Sequence, residues 1–259
     1  MNIVKPKKHL GQHFLRDEAI ARRIVDNLHG HGGYDRVLEI GPGTGVLSKY
    51  LISDARFTWW GMDVDTDSIA YLHKHYPDSG NNILEQDFLR TNVQELFNGE
   101  KVGVIGNFPY NISSQILFKI LEYRNLVPEM VGMFQKEVAV RIVSGPDGKV
   151  NGILSILCQA FYDVEYLFQV DEHVFTPPPK VKSAVIRFKR NNTLQLDCDE
   201  KKFFTVVKTA FNQRRKTLRN SLKSMQIDWE LPKVESLKGK RAEELEVADF
   251  VEITLAAKQ

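Results

Sequence analysis

Residues 106–110, with the sequence Gly-Asn-Phe-Pro-Tyr, combine side chains that can hold a planar base. They follow the apolar run 102–105, which is typical of a buried strand, so they are expected where that strand opens into a loop. The side-chain carbonyl of Asn107 and a backbone carbonyl can accept hydrogen bonds from an exocyclic amine, and Tyr110 can stack on the ring. The tetrapeptide 107–110 is a weak signal by itself, and its weight depends on the segments before it.

A glycine-rich turn at residues 39–45 follows an earlier predicted strand and opens a predicted helix. Glycine lets the backbone turn tightly and approach a ligand closely, and the first N–H groups of a helix carry a partial positive charge. Gly41 and Gly43 are therefore candidate cofactor contacts. The dinucleotide fingerprint needs a further glycine, but position 46 is Val. The turn fits several nucleotide cofactors, and a tight turn without a ligand remains an alternative.

Acidic residues follow the next two predicted strands. An acid about 20 residues after the glycines suits a ribose diol. Asp63 and Asp65 compete for this role, and the alternation of side chains along a strand lets only one of them face a ligand. Asp87 can accept a hydrogen bond from an adenine amine, with Phe88 packed nearby. Because open α/β sheets bind ligands at the carboxyl ends of their strands, this joint placement predicts S-adenosylmethionine as the cofactor.

The elements that position these residues are indicated by the hydrophobic pattern. Short apolar runs alternate with helical segments up to about residue 145, which predicts an α/β fold with a doubly wound, mostly parallel sheet. The predicted strands are 37–40, 57–62, 82–86, 102–106 and 130–134, and the predicted helices are 46–52, 66–75 and 114–123. Residues 161–169 and 183–189 flank a triple-proline loop and predict an antiparallel pair that completes a seven-stranded sheet.

After residue 190 the composition becomes helical, and residues 191–193 suit a linker. We therefore predict one domain over 1–190 and a smaller helical domain over 191–259. Residues 201–223 predict a single long helix with an apolar face. Arg214 falls within that face, so either the helix bends near it or Arg214 pairs with an acid or with RNA.

The 259 residues are 42% hydrophobic and 26% charged, as in ordinary globular proteins, and the net charge is only +2. Basic residues concentrate near both ends of the chain, which favours a polyanionic partner, although a solvated basic face is the alternative. Arg215, Arg219 and Lys223 recur every four residues and predict one basic stripe. The candidate RNA-binding residues are Lys7, Lys8, Arg214, Arg215, Lys216, Arg219 and Lys223.

Cys158 and Cys198 lie far apart without the spacing of metal ligands, so we expect ordinary thiols and no metal. The longest apolar stretches fall short of the roughly 18 residues of a membrane helix. The N-terminus is basic but lacks the apolar core of a signal peptide. These patterns predict a cytoplasmic location without a membrane partner.

Together, these segments resemble the small-subunit ribosomal RNA adenine dimethyltransferases. The similar motifs span residues 7–15, 39–45, 106–114, 134–139, 175–183 and 210–220. The resemblance implies a Rossmann-like class I methyltransferase domain and a small helical RNA-recognition domain. It also implies the transfer of two methyl groups to the N6 amine of each of two adjacent adenosines near the 3′ end of 16S rRNA. The implied partner is the assembling small subunit, and we expect a monomer.

The resemblance carries roles for individual residues. Asn107, Pro109 and Tyr110 are interpreted as catalytic, with Phe175 on the other face of the adenine. The cofactor contacts are interpreted as His13, Leu15, Gly41, Gly43, Asp63, Asp87, Phe88 and Asn107.

Two of these positions depart from the family pattern, because His13 stands where Asn is usual and Asp63 where Glu is usual. His has a different reach and a titratable charge. Asp is one methylene shorter, so the loop must lie closer or a water must bridge to the ribose.

Three other functions remain open. A large-subunit rRNA adenine methyltransferase of the erythromycin-resistance type would share residues 107–110 and the glycine turn, but residues 111–114 and the segment around Arg215 favour the small-subunit enzyme. A ribosome-assembly factor, in which binding matters more than chemistry, can coexist with the enzyme. A nicotinamide-dependent dehydrogenase is disfavoured by Val46 and by the lack of an evident hydride-transfer acid.

Overall fold

The computed structural model describes residues 4–146 and 150–258. Its contacts divide the chain into two compact units. The first comprises Met1–Ala139 and Glu165–Arg190, and the second comprises Val140–Val164 and Asn191–Gln259. The second unit thus includes residues 140–164, which the sequence-based division at residue 190 placed in the first domain. That division remains a prediction about functional domains.

Nine strands form two sheets in the described part of the chain. The strands are β1 (Phe14–Leu15), β2 (Arg36–Ile40), β3 (Thr58–Asp63), β4 (Ile83–Glu85), β5 (Gly103–Asn107), β6 (Glu129–Gln135), β7 (Tyr162–Val170), β8 (Phe175–Thr176) and β9 (Ser183–Arg190). The main sheet has the order β4-β3-β2-β5-β6-β9-β7. Strands β2 to β6 run parallel, and β9 runs antiparallel to β6. This arrangement confirms the predicted α/β fold with a mostly parallel, seven-stranded sheet.

The helices are α1 (Glu18–Asp26), α2 (Ser48–Ile52), α3 (Thr66–His75), α4 (Val93–Leu96), α5 (Ser113–Glu122), α6 (Lys136–Val143), α7 (Ile153–Gln159), α8 (Glu200–Asn212), α9 (Leu218–Ser221), α10 (Pro232–Glu235) and α11 (Val247–Ala256). Helices α1 and α3 begin after Asp17 and Asp65, whose carboxylates accept hydrogen bonds from N–H groups of the first turn. Across the described residues, no helix is both long and apolar enough to cross a membrane.

Apolar side chains of the central strands fix the sheet in the first unit. Val37, Ile105 and Val131 are fully buried in one cluster with Ile24 and Leu28. Burial of each such side chain stabilises the fold by about 1.5–3 kcal/mol. The carboxyl ends of the parallel strands therefore meet at one well-fixed edge of the sheet.

The second unit packs helices on one another. Phe203, Val207 and Phe211 bury the apolar face of α8, and the Phe211 ring stacks on Phe250 of α11 with centroids 5.9 Å apart. The predicted single helix over 201–223 is wrong, because α8 ends at Asn212 and a turn precedes α9.

Long-range hydrogen bonds explain this interruption. The N–H groups of Leu218 and Arg219, at the start of α9, donate to the carbonyls of Lys240 and Lys238 at 2.8 and 3.1 Å. Arg214 lies in the turn and donates from Nη2 to the carbonyl of Asn151 at 3.3 Å. The conflict between Arg214 and an apolar helix face is thus resolved by a break in the helix and a main-chain partner.

Candidate active site

A cavity of about 220 Å³ opens at the carboxyl ends of the parallel strands in the first unit. Its wall is formed by residues 9–14 and by the segments that follow four strands. These segments contribute Gly41 and Gly43 after β2, residues 63–64 at the end of β3, Asp87 and Leu89 after β4, and residues 107–112 at the end of β5. The parallel topology therefore brings together the three sequence signals that were far apart in the chain.

The glycine turn has the backbone conformation that glycine favours. Gly41 and Gly43 have φ angles of +70° and +54°. A Cβ atom on Gly43 would lie 2.8 Å from the Phe14 ring, whereas one on Gly41 would meet only Pro109 Cδ, at 4.0 Å. Gly43 is thus required by close packing as well as by its φ angle, while at Gly41 the φ angle alone favours glycine.

A buried carboxyl group supports this turn from within the fold. Glu39 is 1% exposed and accepts hydrogen bonds from Ser48 Oγ at 2.6 Å and from Trp59 Nε1 at 2.8 Å. Burial raises the pKa of Glu39 to about 7, although these two bonds favour the ionised form. Glu39 therefore links the last part of β2 to α2 and β3.

Of the two competing acids, the structure places Asp63 on the cavity wall. Its carboxylate accepts hydrogen bonds from the N–H of Gly43 at 3.2 Å and from the N–H of Asp65 at 2.9 Å, and burial raises its pKa. Asp65 instead accepts bonds from the side chains of Lys7 and Gln12 and caps the N-terminus of α3. Asp63 is thus the acid that can reach a ligand.

The other predicted cofactor residues fall into two groups. Asp87 lies on the wall and uses Oδ1 to accept from the N–H of Leu89 at 2.9 Å. The side chains of Leu15 and Phe88 are only 3% and 5% exposed and are not part of this wall. The prediction for these two residues stays a prediction, and it now concerns their main chains rather than their side chains.

Asn107 ends β5 and has a defined orientation. Its Nδ2 donates to the carbonyl of His13 at 2.8 Å. This bond occupies the donor end of the amide, so the acceptor Oδ1 is the end that remains for a ligand amine. The next residue, Phe108, is 1% exposed and packs edge-on against Phe134 with ring centroids 5.3 Å apart, which anchors the loop.

Tyr110 is held on two sides. Its hydroxyl lies 2.5 Å from Ser183 Oγ, and its ring stacks on His13 with centroids 5.6 Å apart and an interplanar angle of 26°. The His13 ring also lies 2.7 Å, through Nδ1, from the carbonyl of Pro177. Burial raises the pKa of Tyr110, which keeps its phenol protonated at neutral pH.

Phe175 lies in the apolar core and is not part of the cavity wall. It is 1% exposed and pairs with Leu15 between β8 and β1. This burial disfavours contact with an adenine, and the role of Phe175 on its second face stays a prediction. Beside Tyr110 there is instead a second cavity, of about 620 Å³, whose wall includes His13, residues 177–179 and Lys180.

The candidate RNA-binding residues differ in their exposure and in their contacts with the protein. Lys7 forms ion pairs with Asp65 and with Asp67, the latter at 2.8 Å, and these contacts raise its pKa above the ordinary range. These ion pairs within the protein disfavour a phosphate contact by Lys7, and its assignment to RNA stays a prediction. Lys8, Arg215, Lys216, Arg219 and Lys223 are exposed. Because α8 ends early, Arg215, Arg219 and Lys223 do not form a stripe along one helix.

Sequence reasoning missed several residues that shape the cavity. Phe14 packs on Gly43, and Gln12 bonds to Asp65 at 2.9 Å. Ser183 holds the Tyr110 hydroxyl. Gln12, Phe14 and Ser183 lie inside motifs recognised in the sequence, so the motifs were a usable signal, but their partners are distant in the chain.

Similarity to a family model and to two named relatives identifies the family of this chain. Residues 3–259 match the family model described as "Ribosomal RNA adenine dimethylase". The chain belongs to this family. A protein of Cytophaga hutchinsonii named "Ribosomal RNA small subunit methyltransferase A" is 55% identical over 257 residues, which cover 98% of each chain. A protein of Flavobacterium johnsoniae with the same name is 54% identical, covering 98% of this chain and 96% of that protein.

Two solved structures have a similar fold. A dimethyladenosine transferase from Plasmodium falciparum has a TM-score of 0.77 and 26% identity, covering 94% of this chain and 96% of its own. The 23S rRNA methyltransferase ErmE has a TM-score of 0.71 and 23% identity, covering 95% of this chain and 100% of its own, and this likeness concerns the fold. The protein is an S-adenosylmethionine-dependent methyltransferase with a class I fold.

Proposed function

We propose that this adenine dimethylase modifies two adjacent adenosines in the 3′-terminal hairpin of small-subunit rRNA, placing two methyl groups on each N6 amine. The proposed substrate is the RNA within an assembling small subunit in the cytoplasm. The observation that carries the proposal is the placement of Asn107 and Tyr110 on the wall that Gly41, Asp63 and Asp87 also form. The relatives named as small-subunit methyltransferases support this choice of RNA.

The cavity wall fits S-adenosylmethionine. Asp63 presents a carboxylate to a ribose diol. Asp87 Oδ2 lies 3.5 Å from Nε of the exposed Arg90 and has a further lone pair with which it can accept from an adenine amine. The left-handed backbone at Gly41 and Gly43 leaves space for the methionine end close to the main chain. When bound, the cofactor supplies a methyl group on a sulfonium.

On the base side, two acceptors act on the target amine. The lone pair of an adenine amine is delocalised into the ring, so the amine is a poor nucleophile. Asn107 Oδ1 and the carbonyl of Phe108 accept its two hydrogens and favour a tetrahedral nitrogen. The carbonyl of Pro109 already accepts from the N–H of Ile112 at 3.2 Å, which favours Phe108 as the second acceptor.

Tyr110 supplies the stacking surface for a base that has left its own stack. Because Tyr110 is tied to Ser183 and His13, its ring presents a defined plane to the base. Fixed orientation of the amine toward the methyl group accounts for much of the acceleration. After the first transfer the amine has one hydrogen left, so one of the two acceptors must release its bond before the second transfer.

The RNA contacts are assigned to exposed basic residues. Lys8 and Lys180 line the second cavity beside Tyr110, where they can meet backbone phosphates of the target strand. Arg215, Lys216, Arg219 and Lys223 are exposed in the second unit. Phosphate contacts of this kind position an RNA and give salt-dependent binding.

The test is an incubation with labelled S-adenosylmethionine and ribosomal subunits that lack the modification. We expect label in the small-subunit rRNA at adjacent adenosines and none in the large subunit. Label in the large-subunit rRNA would instead support the erythromycin-resistance type of activity. The Asn107→Ala variant serves as the control for label that arises from a contaminating enzyme.

A further inference from the structure

Ser183 is a fully buried hydroxyl residue that contacts the proposed base-binding loop. It is 0% exposed and begins β9, and its Oγ lies 2.5 Å from the hydroxyl of Tyr110. The two residues are 73 positions apart in the sequence. Neither the glycine turn nor the acids of the cofactor side take part in this contact.

The two partners differ in how firmly they are fixed. Ser183 pairs with Gln135 in the antiparallel ladder between β9 and β6, and the N–H of Lys136 donates to the carbonyl of Lys182 at 2.9 Å. The backbone of Ser183 is thus fixed by hydrogen bonding within the central sheet. Tyr110 lies on the loop between β5 and α5, and its carbonyl accepts from Ser113 Oγ at 3.2 Å.

Two serines therefore hold Tyr110 at different points. Ser113 fixes the main chain of Tyr110 to the start of α5, but this bond leaves rotation of the side chain free. The bond to Ser183 fixes the far end of the ring. The only other ring partner among the described residues is His13, which stacks on one face and limits rotation of the ring about the Cβ–Cγ axis. The bond to Ser183 limits a different motion, the swing of the whole ring about the Cα–Cβ bond.

We propose that Ser183 is a positioning residue for methyl transfer, which holds the far end of the Tyr110 side chain in place and, through it, the position of the target adenine. This inference rests on the proposed function, in which Tyr110 stacks on the adenine. Without the hydroxyl of Ser183, the ring can swing about the Cα–Cβ bond, and the amine spends less time in line with the methyl group. The loss should appear in kcat and not in cofactor affinity, because Ser183 is not part of the cofactor cavity wall.

The test compares Ser183→Ala with Ser114→Ala, a matched control. Ser114 is exposed on the first turn of α5 and loses the same atom in that variant. We expect Ser183→Ala to lower kcat about tenfold, the effect of one buried hydrogen bond, with the Kd for S-adenosylmethionine unchanged. Ser183→Thr keeps the hydroxyl and should recover most of the loss. Equal turnover in wild type, Ser183→Ala and Ser114→Ala would overturn the proposal.

A second variant separates the loss of this hydrogen bond from any disturbance of the fold in Ser183→Ala. Tyr110→Phe removes the same hydrogen bond from the loop side and leaves β9 unchanged. We expect it to lower kcat about as much as Ser183→Ala, and the double variant to be no slower than either single variant, because the two share one interaction. Wild-type turnover in Tyr110→Phe, or multiplying losses in the double variant, would contradict the proposal. Absence of methyl transfer by the wild type to small subunits would instead reject the proposed function.

Discussion

The two halves of the cavity are held in different ways. On the cofactor half, main-chain groups of neighbouring loops hold the acids, since Asp63 bonds to the N–H groups of Gly43 and Asp65. On the base half, the holding groups are distant in sequence. Asn107 bonds to the main chain 94 positions away, and Tyr110 bonds to a residue 73 positions away.

This difference separates two functions within one site. Asp63 is held by main-chain groups of the cofactor half, so its replacement should leave the base half unchanged. The loss should therefore appear mainly as weaker binding of the cofactor. The base half joins the segment around His13, the loop after β5 and the start of β9. Changes there should alter the geometry of transfer and therefore turnover.

The largest expected effect is that of Asn107→Ala. The variant loses the acceptor Oδ1 and the bond to His13, so methyl transfer should fall about 100- to 1,000-fold, as for loss of one preorganised polar group. RNA binding should be retained, because Asn107 lies inside the cavity. Single-turnover transfer and filter binding of small subunits measure the two quantities. Near-normal turnover would remove Asn107 from the mechanism.

The second effect concerns Glu39, beneath the cofactor half. Its pKa is raised from 4.5 in the unfolded chain to about 7 in the fold. The folded state thus binds more protons, so this group's contribution is fully present below pH 4.5 and is lost as pH rises through 7. The loss amounts to about 3 kcal/mol in the free energy of unfolding.

Denaturant unfolding between pH 4 and 8 measures this contribution, with Glu39→Gln as the comparison. The variant keeps a hydrogen-bonding side chain that does not titrate, so it should lack this part of the pH dependence. Identical pH profiles for the two proteins would show that the Glu39 carboxyl does not titrate in this range.

The third effect tests the cofactor half directly. Asp63→Ala should raise the Kd for S-adenosylmethionine about tenfold, because a ribose hydroxyl loses its hydrogen-bond acceptor. At saturating cofactor, kcat should stay within about twofold of wild type. Calorimetric titration and steady-state kinetics separate the two quantities. A large fall in kcat at saturation would show that the two halves are coupled.

The smallest expected effect is that of Lys7→Ala on RNA binding. Lys7 is paired with Asp65 and Asp67, so its removal should leave the salt dependence of RNA affinity unchanged. Lys8→Ala is the matched variant, and it should reduce the salt slope by about one phosphate contact. A reduced slope in Lys7→Ala would place Lys7 in the RNA-binding set.

The sequence allowed the strands, the glycine turn and Asn107 to be placed because these depend on local patterns. Apolar runs mark buried strands, and α3 begins and ends where the periodicity predicts, at Thr66–His75. The parallel topology then brings strand ends together by a general rule. Gly41, Gly43, Asp63, Asp87 and Asn107 consequently lie on one wall, as the sequence predicted.

The remaining features depend on partners far away in the chain. Phe175 is drawn into the core by its pairing with Leu15, and Lys7 is bound by the acids before and within α3. The helix predicted to continue past Asn212 is interrupted by bonds to residues 238–240. Local periodicity contains no information on these contacts, so only the structure could reveal them.

The central claim is that this cavity places the N6 amine of an adenosine against the methyl donor. The most direct measurement is nucleoside mass spectrometry of small-subunit rRNA after incubation with the protein and S-adenosylmethionine. We predict two methyl groups on the same N6 nitrogen at each of two adjacent adenosines. Methyl groups on a carbon, on a ring nitrogen or on another base would contradict the account.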